Sequence, residues 1–265
     1  MAQQAKAPVD AALVRGKSMI PKVIHYCWFS EESIPDNIQK CIDSWQTVMS
    51  GYEIRCWDSH SFDFDSVPFV REAYSRRKWA FMADYVRLYA IFNEGGIYLD
   101  SDVRVLKSFD TFLESKFFIG TEIGDAVHNT DICIDGAIFG AEKGHSFLER
   151  CLRLYEDMHF INEDGTLNNI PQPRVITPIA EREFGYIPKD RLQHLETDII
   201  VYPTSFFTHI CDPAVKNGIP DSLYALHLLN HSWIDVSPGF SFCKRHHIAW
   251  AYPLLKPLFK FLRRK

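Results

Sequence analysis

The stretch from Trp79 to Asp102 constrains this chain more than any other. Phe81, Val86, Leu88, Tyr89 and Phe92 alternate with charged residues at helical spacing, and Asn93-Glu94-Gly95-Gly96 ends the helix. Ile97-Tyr98-Leu99 follows at once as a short apolar strand and runs into Asp100-Ser101-Asp102. Such a stretch commits the chain to a helix beside a buried strand. It also puts two carboxylates at the carboxyl end of that strand, where open α/β sheets place their ligands.

The flanking sequence agrees. Ile20 to Phe29 is apolar, aromatic and β-branched, bounded by Pro21 and by the polar run Ser30 to Asp36, which reads as a buried strand. Between Pro35 and Met49, Ile38, Cys41, Ile42, Trp45 and Val48 give one helical face, and Tyr52 to Trp57 is a second strand. Strand, helix, strand in that order opens a parallel α/β sheet. Further strands are expected at Phe117–Thr121, Ala137–Phe139 and Ile199–Tyr202, and a helix from His145 to His159. The polar run Asn162 to Pro173, with Gly165 and two prolines, reads as a mobile loop.

With 265 residues, 46% of them hydrophobic, the chain can bury one substantial core. The formal charge of −5 argues against nucleic acid as a partner. The seven cysteines form no CxxC pair and read as reduced core thiols of a cytosolic protein. No apolar run approaches the roughly 20 residues needed to cross a bilayer. Residues 1–18 lack the apolar centre of a secretion signal and read as a leader or disordered extension, leaving a domain at 19–240 and a basic segment at 241–265. After Asp235 no Asp or Glu occurs. From Pro253 to Lys265, Leu254, Leu255, Leu258, Phe261 and Leu262 share a helical face edged by Lys256, Lys260, Arg263 and Arg264. A basic amphipathic helix of this kind suits an anionic membrane surface, and hence a cytoplasmic protein peripheral to the inner face of the plasma membrane. The alternative is a helix packed on the domain.

Two aspartates spaced i and i+2 can divide their work, one accepting hydrogen bonds from sugar hydroxyls and the other gripping Mn²⁺ or Mg²⁺, which prefer hard oxygen ligands. By itself the tripeptide is a common strand-end feature. Its context is not common. Ala83 to Asp102, ADYVRLYAIFNEGGIYLDSD, resembles the signature of glycosyltransferase family 32, a DXD group that includes capsular-polysaccharide transferases and the yeast initiating mannosyltransferase. A related arrangement occurs in the large clostridial glucosylating toxins. IPKVIHYCWF at residues 20–29 and Tyr224 to Trp233, YALHLLNHSW, resemble the family's other landmarks, in the expected order.

The resemblance implies a GT-A fold, a Rossmann-like nucleotide-binding sheet merged with an acceptor region. It implies transfer of a hexose, with retention of anomeric configuration, from a nucleotide sugar (UDP-sugar favoured) to a saccharide or lipid-linked saccharide acceptor in surface-polysaccharide synthesis. Asp84 and Arg87, three apart on one helix, match residues that bind donor-sugar hydroxyls. Asp100 contacts the donor ribose or sugar, Asp102 ligates the metal, and Gly96 and Tyr98 belong to the donor-binding stretch. Trp28 matches an aromatic packed near the nucleotide base, the alternative being a core position. His227 and His231 are the candidates to complete the metal shell, the family pattern favouring His227, and a buried structural imidazole is the alternative for either. Ser232 and Trp233 close the donor pocket, Trp233 over the diphosphate. Asp135 could lie beneath the anomeric carbon as a nucleophile, or be a plain turn residue before Gly136; same-face attack without a protein nucleophile is the preferred mechanism. A glycoside hydrolase and a non-catalytic sugar-binding protein are the rival classes.

Overall fold

A computed structural model of the chain describes residues 20–123, 131–209 and 219–229. Strand β1 (Val23–Cys27), helix α1 (Asp36–Val48) and strand β2 (Glu53–Trp57) form the expected opening unit, with β1 and β2 parallel. Helices α2 (Pro68–Ser75) and α3 (Trp79–Glu94) precede β3 (Gly96–Leu99), which lies parallel to β1 on its other side. Next come β4 (Val103–Val105), β5 (Phe117–Ile123), β6 (Ile132–Ala141), α4 (Ser146–Glu156) and α5 (Gln172–Glu183). The last described strands are β7 (Gln193–His194), β8 (Ile199–Tyr202), β9 (Phe207–His209) and β10 (Ala225–His227).

Seven strands make one sheet in the order β2-β1-β3-β6-β5-β8-β7. The expected parallel character holds for β2-β1-β3 and for β5-β8, whereas β6 runs antiparallel to both neighbours and β7 antiparallel to β8. The fold is therefore α/β with a mixed sheet. One face carries α1 and a core of Trp45, Phe109, Phe112, Phe118 and Phe207; the other carries α2 to α5 over Phe69, Phe117, Phe139, Phe147 and Tyr155. Helix α3 is buried almost all round, as a helix enclosed on several sides must be. A small second sheet, β4-β10-β9, joins the α1 side, and Trp45 anchors it by donating its indole N–H to the Val103 carbonyl at 2.7 Å.

The turn from α3 into β3 has no loop. Gly95 caps the helix at φ 71°, its N–H donating to the Ile91 carbonyl, and Gly96 follows at φ 113°. A Cβ on Gly96 would stand 2.6 Å from the Val23 carbonyl oxygen, so only glycine lets β3 start this close to β1. His25 locks the same turn from beneath. Trp57 donates its indole N–H to His25 Nδ1 at 3.0 Å, which leaves Nε2 as the protonated nitrogen, 3.0 Å from the Gly95 carbonyl.

Three sequence readings need revision. Helix α5 was not expected, because Pro173 in its first turn and Pro178 in its interior mask the pattern. The strand expected at Ala137–Phe139 extends over Ile132–Ala141 and takes in Asp135, which is thus a strand residue and not a turn residue. The run from Asn162 is a loop as expected only as far as Pro171, α5 beginning at Gln172; it is bridged between Ile161 and Leu167, and Glu72 holds the Phe160 and Ile161 amides beside it. The described cysteines Cys27, Cys41, Cys56, Cys133 and Cys151 are free thiols, as expected. Among the described residues no helix is long and apolar enough to cross a membrane. The segment 241–265 and residues 1–18 lie outside the described residues.

Candidate functional site

At the carboxyl end of β3 the backbone turns back on itself, Val103 N–H donating to the Asp100 carbonyl, and enters β4. Antiparallel pairing of β4 with β10 sets His227 opposite Val103, and Leu228 N–H donates to the Asp102 carbonyl at 3.1 Å. This pairing carries His227 from far along the chain to the two aspartates. Its Nε2 lies 3.1 Å from Asp102 Oδ1 and 3.9 Å from Asp100 Oδ2. One ligand atom from each of Asp100, Asp102 and His227 fits within 4.8 Å of the others.

Arg87 forms the floor behind them. Its Nη2 bridges Asp84 Oδ1 at 3.1 Å and Asp100 Oδ1 at 3.2 Å, Nη1 donates to the Gly136 carbonyl at 2.5 Å, and its guanidinium sits 4.8 Å above the Tyr98 ring. The Tyr98 hydroxyl donates to Asp100 Oδ1 at 2.8 Å. Asp100 therefore spends one oxygen on Tyr98 and Arg87 and turns the other toward His227. The i, i+3 pair expected on α3 is buried, not a surface ion pair. Burial acts against the charge of Arg87, but Asp100, Tyr98 and Asp84 outweigh it and keep the guanidinium protonated. Burial raises the Asp84 carboxyl to about 7 despite the neighbouring Arg87. Burial also opposes charge on His227, yet Asp102, Asp100 and Asp135 together push its pKa up to about 10. A proton on that imidazole and a divalent cation would compete for one seat among the same carboxylates.

These groups open into a cavity of about 630 Å³, within the range of small-molecule sites. Trp28, Asp84, Arg87, Tyr98, Asp100, Asp102, Asp135 and His227 all line it, so the structure brings together eight of the residues singled out from the sequence. Trp28 is half-buried at the cavity wall, its indole N–H donating to the Glu32 carbonyl at 3.1 Å, and it also packs against the core on the α1 side. Asp135 lies at the floor with Oδ1 accepting the Ala137 amide at 2.7 Å. Gly96 is the exception: it sits at the opposite end of β3 against His25 and does not line the cavity, so its part is the turn and not donor contact. His231, Ser232 and Trp233 lie outside the described residues.

Sequence reading missed Gln172, the first residue of α5. Its Nε2 donates to the Asp84 backbone carbonyl, while Oε1 is buried without a hydrogen-bond partner. A Cβ on Gly136 would stand 2.5 Å from that oxygen and 3.2 Å from Arg87 Nη1, so the close approach of α5 to β6 depends on glycine there. No local signal marked Gln172, since α5 itself was hidden.

This geometry is that of a DXD centre on an α/β sheet, and the sequence comparisons agree. Residues 35–118 match the family model described as the glycosyltransferase sugar-binding region containing DXD motif. The matched segment holds Asp84, Arg87, Asp100 and Asp102. An uncharacterized glycosyltransferase of Acanthamoeba polyphaga mimivirus is 32% identical over 108 residues, covering 38% of this chain and 42% of that protein. Inositol phosphoceramide mannosyltransferase 3 of Schizosaccharomyces pombe is 30% identical over 151 residues, covering 51% of this chain and 36% of its own length. The matches thus span less than half the length of these curated relatives. Among solved structures, the PaToxG glycosyltransferase superposes with TM-score 0.47 at 20% identity, over 63% of this chain and 70% of that one. A glycosyltransferase involved in glycosylation of the major capsid of PBCV-1 superposes with TM-score 0.45 at 15% identity, over 80% and 94% of the two chains.

Proposed function

We propose that this protein is a divalent-metal-dependent glycosyltransferase that moves a hexose from a nucleotide sugar, a UDP-sugar being favoured, to a saccharide or lipid-linked saccharide acceptor. The observation that carries the reading is the convergence of Asp100, Asp102 and His227 within 4.8 Å at the end of β3, beside the buried Asp84–Arg87 pair. Two carboxylates and an imidazole are a donor set that suits Mn²⁺ or Mg²⁺, and Asp102 and His227 would hold the ion with Asp100 Oδ2. Such an ion, when bound, neutralises charge developing on a departing diphosphate.

The remaining work falls to side chains. Arg87 fixes Asp84 and Asp100 in place, so the second oxygen of Asp84 can accept a hydrogen bond from a donor hydroxyl and Asp100 Oδ2 is held ready for the ion without reorganising. Asp135 already accepts a backbone amide, which lowers its reactivity as a nucleophile and favours same-face attack with retention over a covalent intermediate. A lipid-linked acceptor and a peripheral site on the inner membrane face are supported by the acid-free basic segment after Asp235. The test is a panel of UDP-glucose, UDP-galactose, UDP-N-acetylglucosamine and GDP-mannose, followed for hydrolysis with Mn²⁺ and with chelator. Metal-dependent consumption of one donor supports the reading; none with any donor rejects it.

A further inference from the structure

We propose that residues 187–192, between α5 and β7, form a membrane-docking knob that seats the carboxyl end of the sheet on an anionic phospholipid surface. This rests on the proposed transferase function, whose lipid-linked acceptor such a surface would carry. Ile187, Pro188, Lys189, Asp190, Arg191 and Leu192 are all exposed. Ile187 is 44% and Leu192 51% exposed, so two of the six large hydrophobic side chains exposed among the described residues stand in this one loop. Exposed aliphatics scattered singly are ordinary; a pair on one short loop marks a contact.

The loop is also pinned. Gln193, buried at the start of β7, accepts the Ile187 N–H on Oε1 at 3.1 Å and donates Nε2 to the Ile187 and Lys189 carbonyls at 2.9 and 3.2 Å. The Lys189 and Arg191 amides close two further tight turns onto the Ile187 and Lys189 carbonyls. A loop shaped in advance loses little freedom when it docks.

Topology sets the knob on the same side of the sheet as the cavity. Strands β3, β5 and β8 point one way, because β6 is antiparallel to both β3 and β5, and β8 is parallel to β5. Strand β7 returns antiparallel to β8 with Gln193 opposite Val201, and Asp190 accepts both the amide and the hydroxyl of Thr204, just past the end of β8. The knob thus stands at the carboxyl end of the sheet, where β3 delivers Asp100 four strands away, at a distance of roughly 20 Å. Helix α5 starts over β6, between the two, with Ile170 half exposed beside the cavity-lining Asn169 and Pro171.

Charge and size select the partner. Asp190 is the only acid between Glu183 and Glu196, and Thr204 holds both its oxygens, whereas Lys189 and Arg191 flank it. Two cations beside two aliphatics fit anionic headgroups over hydrocarbon: the cations meet the phosphates and the aliphatics leave water. A protein partner would need about 800 Å² of surface, more than a convex loop of six residues offers, while a bilayer deforms around a knob.

The experiment uses the full chain and vesicles of phosphatidylcholine with or without phosphatidylglycerol. Nitroxide labels are placed at Leu192→Cys and, as a control on α4, at Leu154→Cys, with the signal of labelled wild type subtracted. Collision with an aqueous nickel chelate is read by electron paramagnetic resonance. Vesicles containing phosphatidylglycerol should shield position 192 at least fivefold and leave position 154 unchanged. Vesicle affinity should fall about thirtyfold when Lys189→Gln and Arg191→Gln are combined, near fivefold for each cation. It should fall at least tenfold when Ile187→Ser and Leu192→Ser are combined, with Mn²⁺-dependent donor hydrolysis in solution as in wild type. The basic segment 241–265 is the same in every variant, so these differences read the knob alone. A wild type that ignores the vesicles, an accessible label at position 192 on bound protein, or wild-type affinity in both combined variants overturns the knob. A label shielded by polyglutamate and not by vesicles assigns the loop to a protein partner and overturns the lipid reading. A wild type that consumes no nucleotide sugar rejects the transferase function, and the label still decides the knob.

Discussion

The two ends of β3, a strand of four residues, are chemically opposite. At the amino end, Gly95, Gly96, His25 and Trp57 leave nothing unsatisfied: each ring nitrogen of His25 has one partner, and burial holds its pKa down to about 4. At the carboxyl end, Asp100, Asp102 and Asp135 crowd round His227 and raise its pKa to about 10. One histidine is kept neutral to hold a turn, and the other is kept charged by the carboxylates around it. The contrast separates what the fold requires from what the chemistry requires, although the same strand joins them.

The sharpest break in that contrast is Asp102→Asn. It should lower donor turnover by about a thousandfold, roughly 4 kcal/mol in transition-state terms, while the thermal melt stays within a few degrees of wild type. Near-wild-type turnover in a folded variant would remove Asp102 from the metal shell. Gly96→Ala should do the reverse and cost about 3 kcal/mol of stability, because φ 113° and the 2.6 Å approach to the Val23 carbonyl both exclude a methyl group. Urea denaturation measures it, and an unchanged midpoint would mean that the β1–β3 spacing relaxes freely.

His25 supplies a pH dependence. Its folded pKa of about 4 lies below the ordinary 6.5, so the unfolded chain binds a proton that the folded chain refuses. Its contribution is complete above pH 6.5 and is lost as pH falls toward 4, by about 3 kcal/mol in all. Urea midpoints at pH 7, 5.5 and 4.5, for wild type and His25→Gln, should converge as the pH drops; parallel curves would deny His25 that role. The smallest effect is expected from Asp84→Asn: about a tenfold loss of affinity for the nucleotide sugar by calorimetry, with UDP and Mn²⁺ bound as before. An equal loss for both ligands would make Asp84 part of the general scaffold.

What the sequence disclosed follows from the range of the interactions involved. The α3–β3 turn and the DXD were legible because helical spacing, two glycines and a strand are local signals. Asp84 and Arg87 were legible as one helical face. His227 was singled out only by its landmark, since its place beside Asp102 depends on β4 pairing with β10, a contact between distant segments. Of the two readings open for Asp135, the plain turn residue fails because the Asp135-Gly136 dipeptide is a turn signal that the β5–β6 pairing overrides. Gln172 was invisible, its helix masked by prolines and its meaning set entirely by the Asp84 carbonyl it holds.

The central claim is that the carboxyl end of β3 binds a divalent cation through Asp102 and His227. Electron paramagnetic resonance of Mn²⁺ titrated into the protein with UDP present measures this directly. One tightly held ion per chain is expected for wild type and for Gly96→Ala that remains folded, with binding weakened at least tenfold in both Asp102→Asn and His227→Ala. Equal Mn²⁺ binding by wild type and these last two variants would contradict it.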